Sequence, residues 1–180
     1  MQKKFIPFLL VIAIAAGCQQ KQAPVSAGTD KPQLQTNSKA TIQNDIVVHE
    51  EGGLRIARAY LTDENGLLLT KNNTVQTGDT VVLHLQVKQG WVAEKGFVSL
   101  GATQTITAEK GEPVLSSPNL FAGNGKMAVA DANRVQLTAV LTRPRTDTRT
   151  FIVCYRVWDI NGNGQVAGQY MLHLADPPAE

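Results

Sequence analysis

Apolar residues recur at every second position over long stretches of this chain, and that period decides the fold class. Val81, Leu83, Leu85 and Val87 alternate with Val82, His84, Gln86 and Lys88. Val135, Leu137, Ala139 and Leu141 alternate with Arg134, Gln136, Thr138 and Val140. Successive side chains of a strand point to opposite faces, so such alternation specifies half-buried antiparallel strands. Turn chemistry separates the runs: Asp63-Glu64-Asn65-Gly66, Gly78-Asp79, Lys110-Gly111, Asn124-Gly125 and Asn161-Gly162-Asn163-Gly164. Gly and Asn supply the backbone conformations that tight connections require. The chain shows no convincing amphipathic helix and no repeat. Strands that are apolar on one face bury it by packing sheet on sheet, so a two-sheet sandwich is predicted from Leu54 onward.

The last hairpin can be read in register. Phe151, Val153, Tyr155 and Val157 share one face of its first strand, and Tyr170, Leu172 and Leu174 one face of its second. Pairing Phe151 with Leu174, Val153 with Leu172 and Tyr155 with Tyr170 closes an apolar face. On the other face Ile152 then meets His173, Cys154 meets Met171, Arg156 meets Gln169, and Trp158 meets Ala167. A shift of two residues keeps the faces and changes these partners.

The stretch Gly78-Asp79-Thr80-Val81-Val82-Leu83 resembles the entry into the second strand of bacterial immunoglobulin-like modules. Phe151-Ile152-Val153-Cys154-Tyr155-Arg156-Val157-Trp158-Asp159, followed by a Gly/Asn turn, resembles their final hairpin. The resemblance covers most of Leu54–Ala175 and implies an immunoglobulin-like antiparallel β-sandwich. The antibody-type Cys…Trp…Cys core is absent, and a tyrosine corner would have to be Tyr155. The fold hosts many functions, so function must be read from sites.

The N-terminus carries a different message. Lys3 and Lys4 precede the apolar run Phe5–Ala16, which ends in Gly17-Cys18. A basic start, a short apolar core and small residues before a break mark a secretory signal. The run is shorter than the roughly 20 residues that span a bilayer. Ala15-Ala16-Gly17-Cys18 resembles the lipobox of bacterial lipoproteins, departing at Ala15, where the family usually has Leu. The resemblance implies removal of 1–17 and a Cys18 thiol carrying palmitate-type acyl chains. Each buried methylene contributes about 0.8 kcal/mol, and more than one chain gives stable anchoring. Gln19 rather than Asp follows the cysteine, which in that family favours the outer membrane.

Residues 18–45 read as the lipidated cysteine and a flexible tether, 46–176 as the folded domain and 177–180 as a tail. The tether is rich in Gln, Ser and Asn with sparse large apolar residues, so it cannot offset its ordering entropy. It spans on the order of 28 Å r.m.s.. A short strand within Thr41–Val48 is the expected exception, since Ile46-Val47-Val48 could join a sheet edge. Losing Lys3 and Lys4 leaves 15 basic and 15 acidic residues. A neutral chain lacks the clustered positive charge that nucleic acid requires. Cys154 is then the one remaining thiol, so no internal disulfide forms, and the domain relies on its core.

Candidate chemistry is sparse. Asp159-Ile160-Asn161-Gly162-Asn163-Gly164 opens like a calcium loop, but its twelfth position, which must supply a bidentate carboxylate, is Tyr170. A hairpin turn is the simpler reading. Cys154, Met171 and His173 form a soft cluster of the kind copper favours, against which stands a small apolar role for Cys154 in its strand. No hydrolase elbow, zinc-helix motif, paired Cys-Xaa-Xaa-Cys or phosphate loop is present. No catalytic residue, metal ligand set or cofactor is therefore expected. The best surface is the one opposite the core of the last hairpin, where Arg156, Trp158, Ile152 and Met171 fall, with Trp91 and Tyr60 as extensions. Trp91–Lys95 or Pro113–Phe121 would compete by covering it. Leu120 and Phe121 are expected to anchor to the core, and Ala122–Asp131 to form a variable loop. The expected function is a non-catalytic, membrane-anchored envelope lipoprotein acting as a binding or accessory module, with a protein partner in the envelope or a glycan. The alternative is a carbohydrate-binding module with Trp158 and Trp91 as a coplanar platform. A third is a small metal- or thiol-dependent envelope protein using Cys154 and His173.

Overall fold

The computed structural model describes residues 39–109, 111, 113–141 and 148–175. The signal segment 1–17, Cys18, the tether up to residue 38 and the tail 177–180 lie outside the described residues. Strands dominate: β1 (Thr41–Ile42), β2 (Val47–Glu51), β3 (Arg55–Thr62), β4 (Thr74–Val75), β5 (Thr80–Gln89), β6 (Phe97–Ala108), β7 (Pro113–Ser117), β8 (Lys126–Ala128), β9 (Arg134–Val140), β10 (Thr150–Asp159) and β11 (Gln165–Leu174), with one helical turn, α1 (Val129–Ala132).

They form two sheets. One runs β1-β3-β5-β9; the other runs β2-β11-β10-β6-β7, with β4 on β11 and β8 on β6. The β3-β5-β9 and β11-β10-β6 orders match the A-B-E and G-F-C strands of an immunoglobulin-like sandwich. The expected alternation holds. Val81, Leu83, Leu85 and Val87 of β5, and Val135, Leu137, Ala139 and Leu141 in and just after β9, are buried, as are Phe151, Val153, Tyr155 and Val157 of β10. Two-residue periodicity therefore gives each sheet one dry face, and the dry faces meet.

The hairpin register is shifted by two from the sequence expectation. Phe151 lies opposite Leu172, Val153 opposite Tyr170 and Cys154 opposite Gln169. Apolar pairing alone does not distinguish these registers, because both keep every core residue inside. The ordered edge starts within Thr41–Val48, the span in which a short strand is expected, and β1 pairs there in parallel with β3. A half-buried amide clasp holds this edge. Asn44 Nδ2 donates to Asn73 Oδ1 (3.0 Å), and Asn44 Oδ1 accepts from the Leu61 amide (3.0 Å). Asn73 Nδ2 donates to the carbonyls of Asn44 (2.9 Å) and Met171 (3.0 Å). Two side chains thus tie β3 of one sheet to β11 of the other.

The stretch expected to be a variable loop is structured. β8 and α1 occupy its second half, and Ala132 is fully buried beside Val98 and Leu100. Met127, Val129, Phe121 and Trp91 pack on this second cluster. Phe121 anchors as expected, whereas Leu120 is exposed. The small residues of this stretch let the backbone approach closely: a Cβ on Gly125 would lie 2.1 Å from the Leu100 carbonyl oxygen.

A polar layer crosses the core. Gln104, 1% exposed, donates from Nε2 to the Tyr170 hydroxyl (3.4 Å), and its Oε1 has no partner. Tyr155 donates to the Val47 carbonyl of β2 (3.1 Å), so it pins a sheet edge instead of forming a tyrosine corner. Burial pushes both phenols well above the ordinary tyrosine range. The unfolded chain ionises near pH 10 while the folded chain does not. This contribution to stability is therefore fully present below about pH 10 and is lost as pH rises beyond it. In an alkaline titration followed by phenolate absorbance, Tyr155 and Tyr170 are expected to ionise only together with loss of the native β circular-dichroism signal. Smooth ionisation of all three tyrosines in the folded chain would contradict the packing.

Candidate binding face

The outer face of the larger sheet is built by the alternate residues of β2, β11, β10 and β6. Trp158 lies opposite Gln165 on β11 and Gly101 on β6. Its indole covers Gly101 so closely that a Cβ there would fall 2.3 Å from ring atoms. Glycine at this one position is what lets the indole lie down on the sheet. The Arg156 guanidinium, two residues earlier on the same face, sits 5.3 Å from the centre of the Trp158 ring. The next row places His49, Ala167, Arg156 and Thr103 side by side. Gln165 donates to Glu51 at the rim. Neither segment expected to cover this face does so. β7 pairs edge-on with β6, and the Trp91 side chain packs into both apolar clusters.

The sequence-selected residues therefore separate. Arg156 and Trp158 form a pair. Met171 is exposed on the same face but sits in the row of Ile152, six residues from Trp158 along the strand, or about 20 Å away. Trp91 is not part of the face, and its Nε1 is buried without a hydrogen-bond partner. Its amphipathic ring and its position beside a turn gave no sign that it would close the core end. Tyr60 belongs to the other sheet, opposite His84. Gly101, Thr103 and Gln165 carry no motif and were not legible as part of the face; only strand pairing reveals them.

The candidate chemistry resolves as follows. Asp159 is buried; its Oδ2 accepts from the Val92 amide (2.5 Å) and its Oδ1 from the Asn161 amide (3.0 Å). The Asp159 amide donates to the Gly164 carbonyl (2.8 Å). Oδ1 thus shapes the hairpin turn, and Oδ2 ties that turn to the segment after Trp91. Cys154 is half-buried opposite Gln169 and Thr105 instead of Met171, and His173 bonds through Nδ1 with the Thr150 hydroxyl (3.2 Å). Among the described residues, no group of three His, Cys, Asp or Glu is arranged to hold a metal ion. Among the same residues, no helix is long and apolar enough to cross a membrane.

No protein-family model matches the chain, and no curated protein does. Among solved structures it is similar to the crystal structure of the C-terminal domain of wzt, with a TM-score of 0.46 and 12% identity over 78% of this chain and 84% of that one. A likeness this remote carries no functional argument.

Proposed function

We propose that this protein is a non-catalytic, lipid-anchored binding module of a bacterial envelope. It is held to the outer membrane by acylated Cys18 and engages a protein partner through the face centred on Arg156 and Trp158. The observation that carries the reading is the Arg–Trp pair seated on Gly101. Trp and Arg are the residue types that dominate protein-interface energetics, and a ring fixed by its support loses little entropy on binding. With Gly101 beneath it and a guanidinium over it, the indole is less open to sugar stacking, and Trp91 does not complete a platform. The protein-partner reading is therefore favoured over the carbohydrate one. The anchor rests on the lipobox-like Ala15–Cys18 segment.

Two measurements test the two halves separately. Intact mass of the chain made in a bacterial host is expected to begin at acylated Cys18, with Cys18→Ser left unprocessed; a free thiol at Cys18 in a water-soluble product would refute the anchor. A photocrosslinking residue at Ala167, beside Arg156, is expected to give a discrete envelope adduct that disappears in Trp158→Ala and persists in Arg134→Gln. An adduct indifferent to Trp158, or none at all, would refute the face.

A further inference from the structure

The outer face of the smaller sheet plays no part in that reading, and its side chains are organised. Strand pairing aligns Arg58, Gln86 and Arg134 in one row and Tyr60, His84 and Gln136 in the next. Tyr60 and His84 stack with ring centres 4.7 Å apart and planes 2° apart, and the Arg58 guanidinium sits 5.2 Å from the centre of the Tyr60 ring. His84 is held at both nitrogens. The Thr62 hydroxyl donates to the Asp63 carbonyl (2.9 Å), so it accepts from His84 Nε2–H (2.9 Å), and His84 Nδ1 accepts from Gln136 Nε2 (3.3 Å). The imidazole is thereby neutral, and desolvation lowers its pKa in the same direction. A guanidinium, a phenol and an imidazole thus stand as one braced stack.

Charge is segregated on this face. From Arg58 onward, the outward residues of β3, β5 and β9 include Arg58, Lys88 and Arg134 and not one carboxylate. Asp63, just past the end of β3, is engaged in its own turn, where Oδ1 accepts from the Asn65 and Leu67 amides. Neither Arg58 nor Arg134 is in an ion pair among the described residues. The two arginines lie two strands apart, about 10 Å, with an amide between them.

We infer that this face binds an acidic polysaccharide. Arginine forks pair with carboxylates in two-pronged fashion, and Arg58 is pre-oriented by its stack. Gln86 and Gln136 offer both donors and acceptors to the hydroxyls between successive acid groups. These two rows carry no aliphatic side chain to insert among lipid tails, and the exposed Val140 lies at the far end of β9, which favours an extended polymer over a bilayer. This site is independent of Trp158.

The test uses the full chain purified in neutral detergent micelles, with binding measured to polygalacturonate and to neutral dextran. Polygalacturonate is expected to bind and dextran not. Arg58→Gln/Arg134→Gln is expected to weaken binding about tenfold or more, because charge-assisted pairs are lost. Trp158→Ala is expected to leave it unchanged. Both arginines are exposed, and an unchanged thermal transition in the double variant shows that it folds. Equal binding to dextran, no binding to polygalacturonate, or an indifferent double variant would overturn the inference. So would competition by phosphatidylglycerol doped into the micelles, which would assign the face to a membrane surface instead.

Discussion

Phe151→Ala is expected to lower the free energy of unfolding by about 3–5 kcal/mol. Phe151 is fully buried, flanked by Leu172 on β11 and Ala108 on β6. Its ring therefore fills the space between the two sheets at one end of β10, and alanine leaves a cavity that two hydrogen-bonded neighbours cannot close. Against a typical domain stability of about 5–15 kcal/mol, that is a large share. Urea unfolding would show a lower midpoint with an unchanged slope. Ile152→Ala, one residue along on the opposite face and only half-buried, is the control, expected within about 1 kcal/mol of the parent. Equal losses at 151 and 152 would mean that β10 presents its other face to the core.

Gly168→Ala is expected to cost about 1–3 kcal/mol, through overpacking against backbone. Gly168 faces Tyr155 across β10–β11. A Cβ there would fall 1.9 Å from the Val47 carbonyl oxygen and 2.7 Å from the Tyr155 hydroxyl. Those two atoms are hydrogen-bonded to each other, so glycine leaves the room in which the core reaches out and holds β2. Alanine must push the Val47 backbone outward and break that bond. The expected signature is local: amide exchange across Val47–Glu51 accelerates while β5 and β9 stay protected. Gly101→Ala makes the contrast, because its clash is with the Trp158 indole, which can swing toward water. Its expected effect is a displaced indole, read as a shifted tryptophan fluorescence, with a smaller loss of stability. Unchanged exchange in β2 of Gly168→Ala would show that the edge is held by something else.

The core faces of β5, β9, β10 and β11 were legible because alternation needs no partner to be read. Val81 to Val87 face inward whichever strand lies beside them. The register of β10 against β11 was not, since Phe151–Leu174 and Phe151–Leu172 are equally apolar. What separates them is the turn, where the Asp159 amide bonds to the Gly164 carbonyl, and the placing of Gly168 instead of Tyr170 opposite Tyr155. Trp91 was misplaced for a related reason. A tryptophan in a Gly-rich connection carries no periodicity, and only the packing of a second cluster by Val98, Leu100 and Ala132 gives it a core to close. The Ala122–Asp131 stretch likewise hid β8 and α1, because small residues look like loop until a neighbouring strand is there to pair with them.

By itself the sequence determined the all-β class, the turns and which half of each strand is dry, all of which follow from a period of two and from local backbone chemistry. It also held the lipobox-like segment at Cys18, a feature of consecutive residues. Only the tertiary structure decided which outward residues are neighbours. It brought Gly101 under Trp158, and Tyr60, His84 and Gln136 into one row across three strands. Those positions are tens of residues apart, and an outward side chain in water is under no hydrophobic constraint that would announce its partner. Sheet order and register set such contacts, and both are long-range properties of the folded chain.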